Sequence, residues 1–337
     1  MARLRRSDCS GPGIRRRGRG KGFSYLDEGG RRIGDPETVA RLNELRIPPA
    51  WRDVWICSDP MGHLQATGID AAGRKQYLYH ERWRQRRDQQ KFDEMLEFAR
   101  ALPRLRRRVG DDLGAPTRTE RRSVMACAVR LLDRGFFRIG SEDYAESNET
   151  YGLATMHRSH VTIAGTQVHF AYKAKGGVTR EQTITDADVI PVLQALTRRR
   201  SAHPELLAFK EGRRWVDVRS DDVNAYIKGA ARGDFSAKDF RTWHATVLAA
   251  LALAAHDPPP RSKAAFRRAV NQAVAGVATF LGNTPAVCRR SYIDPRVIDR
   301  FGDGAAISRT ALRAGGNPLD DRSRRGVELA VLRLIED

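Results

Sequence analysis

Apolar positions along the 337-residue chain fall into two regimes. Between Phe23 and Tyr79 they come in short runs divided by turn residues. Tyr25-Leu26 and Arg32-Ile33 flank Asp27-Glu28-Gly29-Gly30, which reads as a hairpin. Residues 37–45 read as a short helix stopped by Pro48-Pro49. Residues 51–57 alternate like a half-buried strand, and Leu64-Gln65-Ala66-Thr67 begins another. Residues 73–79 (Gly-Arg-Lys-Gln-Tyr-Leu-Tyr) add a strand that carries basic and aromatic side chains. After His80 the spacing turns helical, first over residues 83–101 and then over 118–133, where Val124, Cys127, Val129, Leu131 and Leu132 mark the buried side. A β interlude is expected over residues 150–185, with a hairpin turn at Ala164-Gly165-Thr166. Further helices are expected at 190–198, 223–231, 242–255, 263–281 and 327–335. The pattern predicts an α+β protein. A small β-rich domain spans residues 23–90, and a mainly helical domain containing a small β-hairpin sheet spans 91–337.

Composition narrows the functional classes. The chain carries 60 basic and 41 acidic side chains, a formal +19, with a pI near 10.5. With 41% hydrophobic residues it can still bury a core. The longest uninterrupted apolar run, residues 247–255, is far short of the ~18 needed to cross a bilayer. No charged-then-apolar leader opens the sequence, so a soluble intracellular protein with no membrane partner is expected. Cys9, Cys57, Cys127 and Cys288 are isolated, which gives neither a disulfide framework nor a zinc cluster. His157 and His160 lie three apart with no carboxylate or thiol beside them, so no metal is expected. What remains is positive charge, whose usual meaning is a polyanionic partner. Residues 1–22 hold eight basic residues against Asp8 alone and read as a disordered basic arm. Such an arm either adds non-specific phosphate attraction or is a solvated tail.

Four segments of the second domain go further. Phe137-Arg138-Ile139-Gly140 is followed by residues 147–153 (Ser-Asn-Glu-Thr-Tyr-Gly-Leu), and Lys175 sits before Gly176-Gly177. Lys238-Asp239-Phe240-Arg241-Thr242-Trp243 opens the alanine-rich helix, and Gly282-Asn283-Thr284-Pro285 leads to Tyr292, nine residues past Asn283. Together with Gly73-Arg74-Lys75-Gln76-Tyr77, this set resembles the type IB DNA topoisomerases of the small poxvirus-like and bacterial subfamily. The resemblance runs from Phe23 to about Arg300. It implies a catalytic domain of the tyrosine recombinase/topoisomerase IB type and transient single-strand cleavage through a 3′-phosphotyrosyl intermediate. It also implies relaxation of supercoils of both signs without ATP, metal or other cofactor.

The residue types suit that chemistry. A tyrosine nucleophile stores the bond energy in an ester that the departing 5′-hydroxyl can reverse. A phenol's ordinary pKa near 10 is an obstacle, which two guanidiniums relieve by stabilising phenolate and transition-state charge together. Arg138 and Arg241 match those guanidiniums, each able to donate two parallel hydrogen bonds to phosphate. Lys175 matches the family's general acid for the 5′ oxygen, although Lys173, two residues away on the same strand face, stays open as an alternative. An ammonium yields its proton more readily with guanidiniums close by. Asn283 is a departure, because most relatives carry histidine there; its amide can donate the same hydrogen bond but brings no charge and shuttles no proton. Thr284 and Pro285 read as an N-cap and first helical position, which sets Tyr292 about two turns along that helix.

The resemblance also implies contacts to double-stranded DNA. Gln76 suits a base edge, Arg74 and Lys75 suit phosphate, and Tyr77, Tyr79, Tyr144 and Lys238 match other DNA-contacting positions. The alternative for the 73–79 strand is that its aromatics pack inward. The expected assembly is a monomer clamping the duplex, nucleoid-associated in the cytoplasm. Tyrosine recombinases share the catalytic plan, but they typically carry histidine three residues before the second arginine, where this chain has Lys238. A non-catalytic basic DNA-binding protein is the third reading.

Overall fold

The computed structural model of the chain describes residues 3–20, 22–140, 149–256, 260, 262–308 and 321–337. They divide into two compact units, Met1–Lys91 and Phe92–Asp337. In the first unit β1 (Ile14–Arg19), β2 (Gly22–Leu26), β3 (Arg52–Ile56), β4 (Leu64–Ile69) and β5 (Lys75–Tyr79) form one sheet. Its order is β2-β1-β3-β4-β5 and every neighbouring pair is antiparallel. Helix α1 (Pro36–Glu44) opens on Asp35, whose carboxylate accepts from the Thr38 N–H, with Pro36 just inside the helix. Its Leu42 packs with Ile14, Tyr25, Val54, Ile56 and Ala66.

The disordered arm expected over residues 1–22 is overturned, because β1 lies inside this sheet between β2 and β3. Ile14 is buried opposite Ile56. Arg16 donates to the backbone oxygens of Ile47 and Pro48 at 2.9 Å and of Trp51 at 2.8 Å, and its guanidinium stands 4.1 Å from the Phe23 ring centroid. Ser7 bonds to His63 and Leu64. Charge density over a short window cannot register partners that lie this far along the chain.

Helix α2 (Glu81–Leu113) carries the chain into the second unit. It is longer than the spacing predicts because Leu102, Leu105, Val109 and Leu113 keep its buried stripe in phase across Pro103. Helix α3 (Arg121–Gly135) is buried without interruption from Ser123 to Val129 and again at Leu131 and Leu132, so it is the helix around which the unit packs. Residues 149–160, expected as strand, hold instead a loop and one 3₁₀ turn, Arg158–His160. Strands β6 (Val161–Ala164), β7 (Gln167–Lys173) and β8 (Thr179–Thr185) then form an antiparallel meander with Val168, Phe170, Tyr172 and Ile184 buried. A small hairpin, β9 (Ala208–Glu211) and β10 (Arg214–Asp217), follows α4 (Ile190–Thr197); its four-residue strands are too short for periodicity to reveal.

The remaining helices are α5 (Ser220–Ala231), α6 (Ala237–Ala254), α7 (Lys263–Leu281), α8 (Pro285–Ser291), α9 (Pro295–Gly302) and α10 (Asp321–Glu336). Helix α6 starts five residues before the alanine-rich pattern does, since Asp239 reaches back to accept from the Ser236 N–H at 2.7 Å. One buried ionic cluster ties four of these helices together. Asp133 of α3 accepts from Arg106 of α2 at 2.9 Å and from Arg324 of α10 at 2.6 Å. Glu328 of α10 accepts from Arg106 at 2.6 Å. Nε2 of His244 on α6 lies 2.7 Å from Arg324 Nη2 and 3.2 Å from Asp133 Oδ1. Burial pushes the His244 imidazole below the ordinary histidine range, toward the neutral form.

Asp133→Asn is expected to cost about 3–5 kcal/mol of unfolding free energy in urea at pH 7, because it strands two buried guanidiniums. Burial alone would raise the Asp133 carboxyl, but Arg106 and Arg324 hold it well below the usual carboxylate range. Its contribution is therefore complete above the unfolded value near 3.9 and fades only as pH falls from there toward the folded value. The gap between wild type and variant should close in that acid window and stay constant above pH 5.

Candidate active site

Helix α7 ends in a reversal at Gly282, whose φ of +62° falls in the left-handed region that glycine adopts without strain. The Asn283 N–H bonds to the Ala278 oxygen at 2.9 Å and the Gly282 N–H to Thr279 at 3.2 Å, a Schellman closure. The next three carbonyls, of Phe280, Leu281 and Gly282, have no helical donors left. Each takes a guanidinium from a different element. Arg180 of β8 reaches the Phe280 oxygen at 2.7 Å, Arg241 of α6 the Leu281 oxygen at 2.9 Å, and Arg138 the Gly282 oxygen at 2.8 Å. Arg138 also donates to Oδ1 of Asn283, and Arg241 to the Phe136 oxygen.

Arg138 stands three residues past α3, which closes on Phe136 at a φ of +54°. Its backbone is held by Leu153, whose N–H bonds to the Arg138 oxygen at 2.8 Å, and by Ala154, which bonds to Ile139 at 2.7 Å. Two glycines make this pairing possible. A Cβ on Gly152 would stand 2.4 Å from the Gly140 backbone and 2.8 Å from the Arg138 oxygen. Both glycines belong to motifs legible in the sequence, and their role is close backbone approach.

Tyr292 sits at the C-terminal cap of α8, not inside a longer helix. Thr284 and Asp294, each followed by proline, start α8 and α9 on either side of it, and Thr246 of α6 donates to its carbonyl at 3.3 Å. The Arg241 guanidinium lies 5.3 Å from the Tyr292 ring centroid, a cation–π distance. Lys175 occupies the turn between β7 and β8. A cavity of about 1270 Å³ is lined by Arg138, Lys175, Arg180, Asn283 and Tyr292 among others. Arg241 forms no part of that lining and is only 4% exposed. Lys173 also lies outside the lining, with its ammonium 3.9 Å from Glu149.

The cations are crowded. Burial first, and then the charge of Arg138, bring the Arg241 guanidinium down to about 10, while Tyr292 acts in the opposite direction. Burial lowers Arg180 as well, and Arg138 adds to it. Among the described residues none of Arg138, Arg180 and Arg241 pairs with a carboxylate. Of the acids lining the cavity, Asp133 and Glu328 are held by Arg106 and Arg324. Nδ2 of Asn283 is buried without a hydrogen-bond partner. Guanidinium donors that pair with no carboxylate among the described residues suit an anion. Arg180 is absent from the sequence-based set. The signal for it was parity, because it shares the face of Ile184 and is paired with buried Tyr172.

The candidate DNA-contacting residues fall elsewhere. On β5, an edge strand, Lys75, Tyr77 and Tyr79 are exposed on one face. The tyrosine rings stack at 6.2 Å, and the Lys75 ammonium lies 5.7 Å from the Tyr77 centroid. The aromatics therefore do not pack inward. Gln76 points to the opposite face and donates to Asp70 at 2.8 Å, and Arg74 pairs with the same carboxylate. Lys238 is exposed in the first turn of α6 and does not line the cavity. Tyr144 lies outside the described residues. His157 and His160 stack on each other at 5.2 Å. Among the described residues, ligand atoms of His203, Glu205 and Asp217 come within 4.8 Å of one another, but none of the three lines the cavity.

Comparison with known proteins gives a consistent result. Residues 80–314 match the family model of the catalytic core of eukaryotic DNA topoisomerase I, and residues 22–70 match that of the N-terminal domain of bacterial DNA topoisomerase IB. DNA topoisomerase 1B of Acanthamoeba polyphaga mimivirus is 29% identical over 286 residues, which cover 83% of this chain and 85% of the viral one. DNA topoisomerase 1B of Vaccinia virus (strain Copenhagen) is 22% identical over 272 residues, 78% and 81% of the two chains.

Gly152→Ala is expected to cost about 1–3 kcal/mol in urea unfolding, since backbone must move to admit the methyl group. Gly229→Ala in α5, where a Cβ meets nothing within 4 Å, is the control and should stabilise by about 0.5–1 kcal/mol.

Proposed function

This chain belongs to the type IB DNA topoisomerases, and from that premise we propose that it relaxes positive and negative supercoils by nicking and resealing one strand of the duplex through Tyr292. In this reading the Tyr292 oxygen attacks the scissile phosphorus and forms the P–O bond of a 3′-phosphotyrosyl ester. The P–O5′ bond breaks, Lys175 delivers a proton to the departing 5′ oxygen, and the phenolic proton passes to solvent. Arg138 and Arg241 carry the charge that builds on the non-bridging oxygens, and Asn283 adds a neutral donor. After the DNA has swivelled, the 5′-hydroxyl attacks back, returns its proton to Lys175 and releases Tyr292. Phosphodiester is exchanged for phosphodiester, so nucleotide hydrolysis has nothing to supply. Removing one such charge-stabilising donor typically costs ~10²–10³ in rate, and removing a positioned acid ~10²–10⁴.

The observation that carries this reading is the single cavity lined by Tyr292, Lys175, Asn283 and Arg138, with the Arg241 guanidinium against the Tyr292 ring. Tyr172 also lies among the three arginines, which offset part of the upward push that burial gives its phenol, but it is buried and does not line the cavity. The second unit is assigned to the fold type shared with tyrosine recombinases. The protein acts as a monomer that clamps double-stranded DNA, with the exposed Lys75, Tyr77 and Tyr79 of β5 on the duplex. It works on the nucleoid in the cytoplasm.

Supercoiled plasmid incubated with the protein in EDTA, without nucleotide, should relax whichever sign of supercoil it carries. Tyr292→Phe should abolish relaxation and leave duplex binding intact. A suicide oligonucleotide should trap an adduct that maps to Tyr292 and not to Tyr172. Persistent supercoils with folded protein, or an adduct at another residue, would contradict the reading. Duplex affinity should fall steeply between 50 and 200 mM salt, roughly in line with the number of phosphates neutralised.

A further inference from the structure

We propose that Arg180 is a third guanidinium on the scissile phosphate, supplying the positive charge that Asn283 lacks. The proposal rests on the nicking-closing reading above. Three geometric facts carry it. Arg180 is one of the three arginines fixed on consecutive carbonyls at the end of α7, so its head group is placed by the same device as those of Arg138 and Arg241. Two of its nitrogens are committed, Nη2 to the Phe280 oxygen and Nε to Gln182 Oε1 at 3.0 Å. The third, Nη1, lies beside Gly282, where a Cβ would stand only 2.7 Å away. Arg180 lines the cavity with Arg138, Asn283 and Tyr292.

A purely structural role does not account for the charge. A neutral donor could satisfy the Phe280 carbonyl without adding a cation beside Arg138 and Arg241. The cluster bears the repulsion of three guanidiniums with no carboxylate paired to any of them among the described residues. A phosphate oxygen relieves that repulsion, and a charge-assisted bond from Nη1 is about twice as strong as one from a carboxamide. Arg180 and Asn283 then divide between two side chains what one protonated imidazole does: Asn283 orients Arg138 and donates a neutral hydrogen bond, and Arg180 brings the charge.

The test compares single-turnover cleavage by wild type, Arg180→Ala, Arg180→Lys and Lys175→Ala on two duplexes. One carries an ordinary phosphodiester at the position mapped from the wild-type adduct. The other carries each methylphosphonate isomer there, with one non-bridging oxygen replaced by an uncharged methyl group. Arg180→Ala is expected to slow cleavage of the phosphodiester ~10²–10³-fold. On the isomer lacking the oxygen it contacts, the penalty should shrink to below about tenfold. Arg180→Lys should recover part of the rate, and the Lys175→Ala penalty should be the same on both duplexes. An equal Arg180→Ala penalty on phosphodiester and both isomers makes Arg180 a positioning residue only and overturns the proposal, as does the absence of any penalty. If wild type forms no adduct at Tyr292, the underlying reading falls and takes this one with it. An adduct with equal penalties sinks the Arg180 assignment alone.

Discussion

An α-helix that stops at Gly282 must leave its last carbonyl oxygens without helical donors, and in a partly buried position something has to satisfy them. Here three guanidiniums do so, one on each of residues 280, 281 and 282. This arrangement fixes the site. The oxygens sit at the negative end of the helix dipole, where cations are favoured by about 0.3–1 kcal/mol each, and they offset part of the repulsion among the three charges. They also set the three head groups at residue spacing before any substrate arrives. The turn that exposes them leads through Asn283 and Thr284 into α8, whose far end is Tyr292. Tyr292 and the three guanidiniums thus take their positions from one helix terminus.

Among the described residues no carboxylate pairs with those cations. Of the three acids that line the cavity among the described residues, Asp133 and Glu328 are spent on Arg106 and Arg324 in a cluster that joins α2, α3, α6 and α10, and Glu181 is exposed. A free carboxylate within reach of Arg138 or Arg241 would neutralise that charge. His244 belongs to that cluster and stays neutral, so it adds no charge to the site. Its ring also packs edge-on against Phe136 at 4.9 Å, the residue whose carbonyl holds Arg241. The ionic cluster is therefore connected to the position of Arg241 through one aromatic contact.

Much of the architecture was legible in the sequence. The hairpin of residues 25–33, the strands at 51–57 and 64–67, the hairpin turn at Gly165 and the long helix of residues 263–281 all follow from periodicity and turn chemistry, because those signals are local. The structure brings Lys175, Asn283, Arg138 and Tyr292 of the sequence set around one cavity, with Arg241 against the tyrosine ring. What failed depended on partners remote in sequence. The basic arm is in part a strand, since Ile14 and Arg16 meet Ile56 and the 47–51 loop. The short strands β9 and β10 left no periodic trace.

By itself the sequence determined the cationic character of the protein and its two-part organisation, because charge, spacing and turn propensity are properties of neighbours along the chain. Only the tertiary structure decided which cations share one cavity. It recruited Arg180 to that group, set Lys175 on the cavity and Lys173 off it, and placed Arg241 behind Tyr292. Those outcomes depend on where a helix end, a strand face and a loop meet in three dimensions, and no local pattern encodes a distance between segments a hundred residues apart.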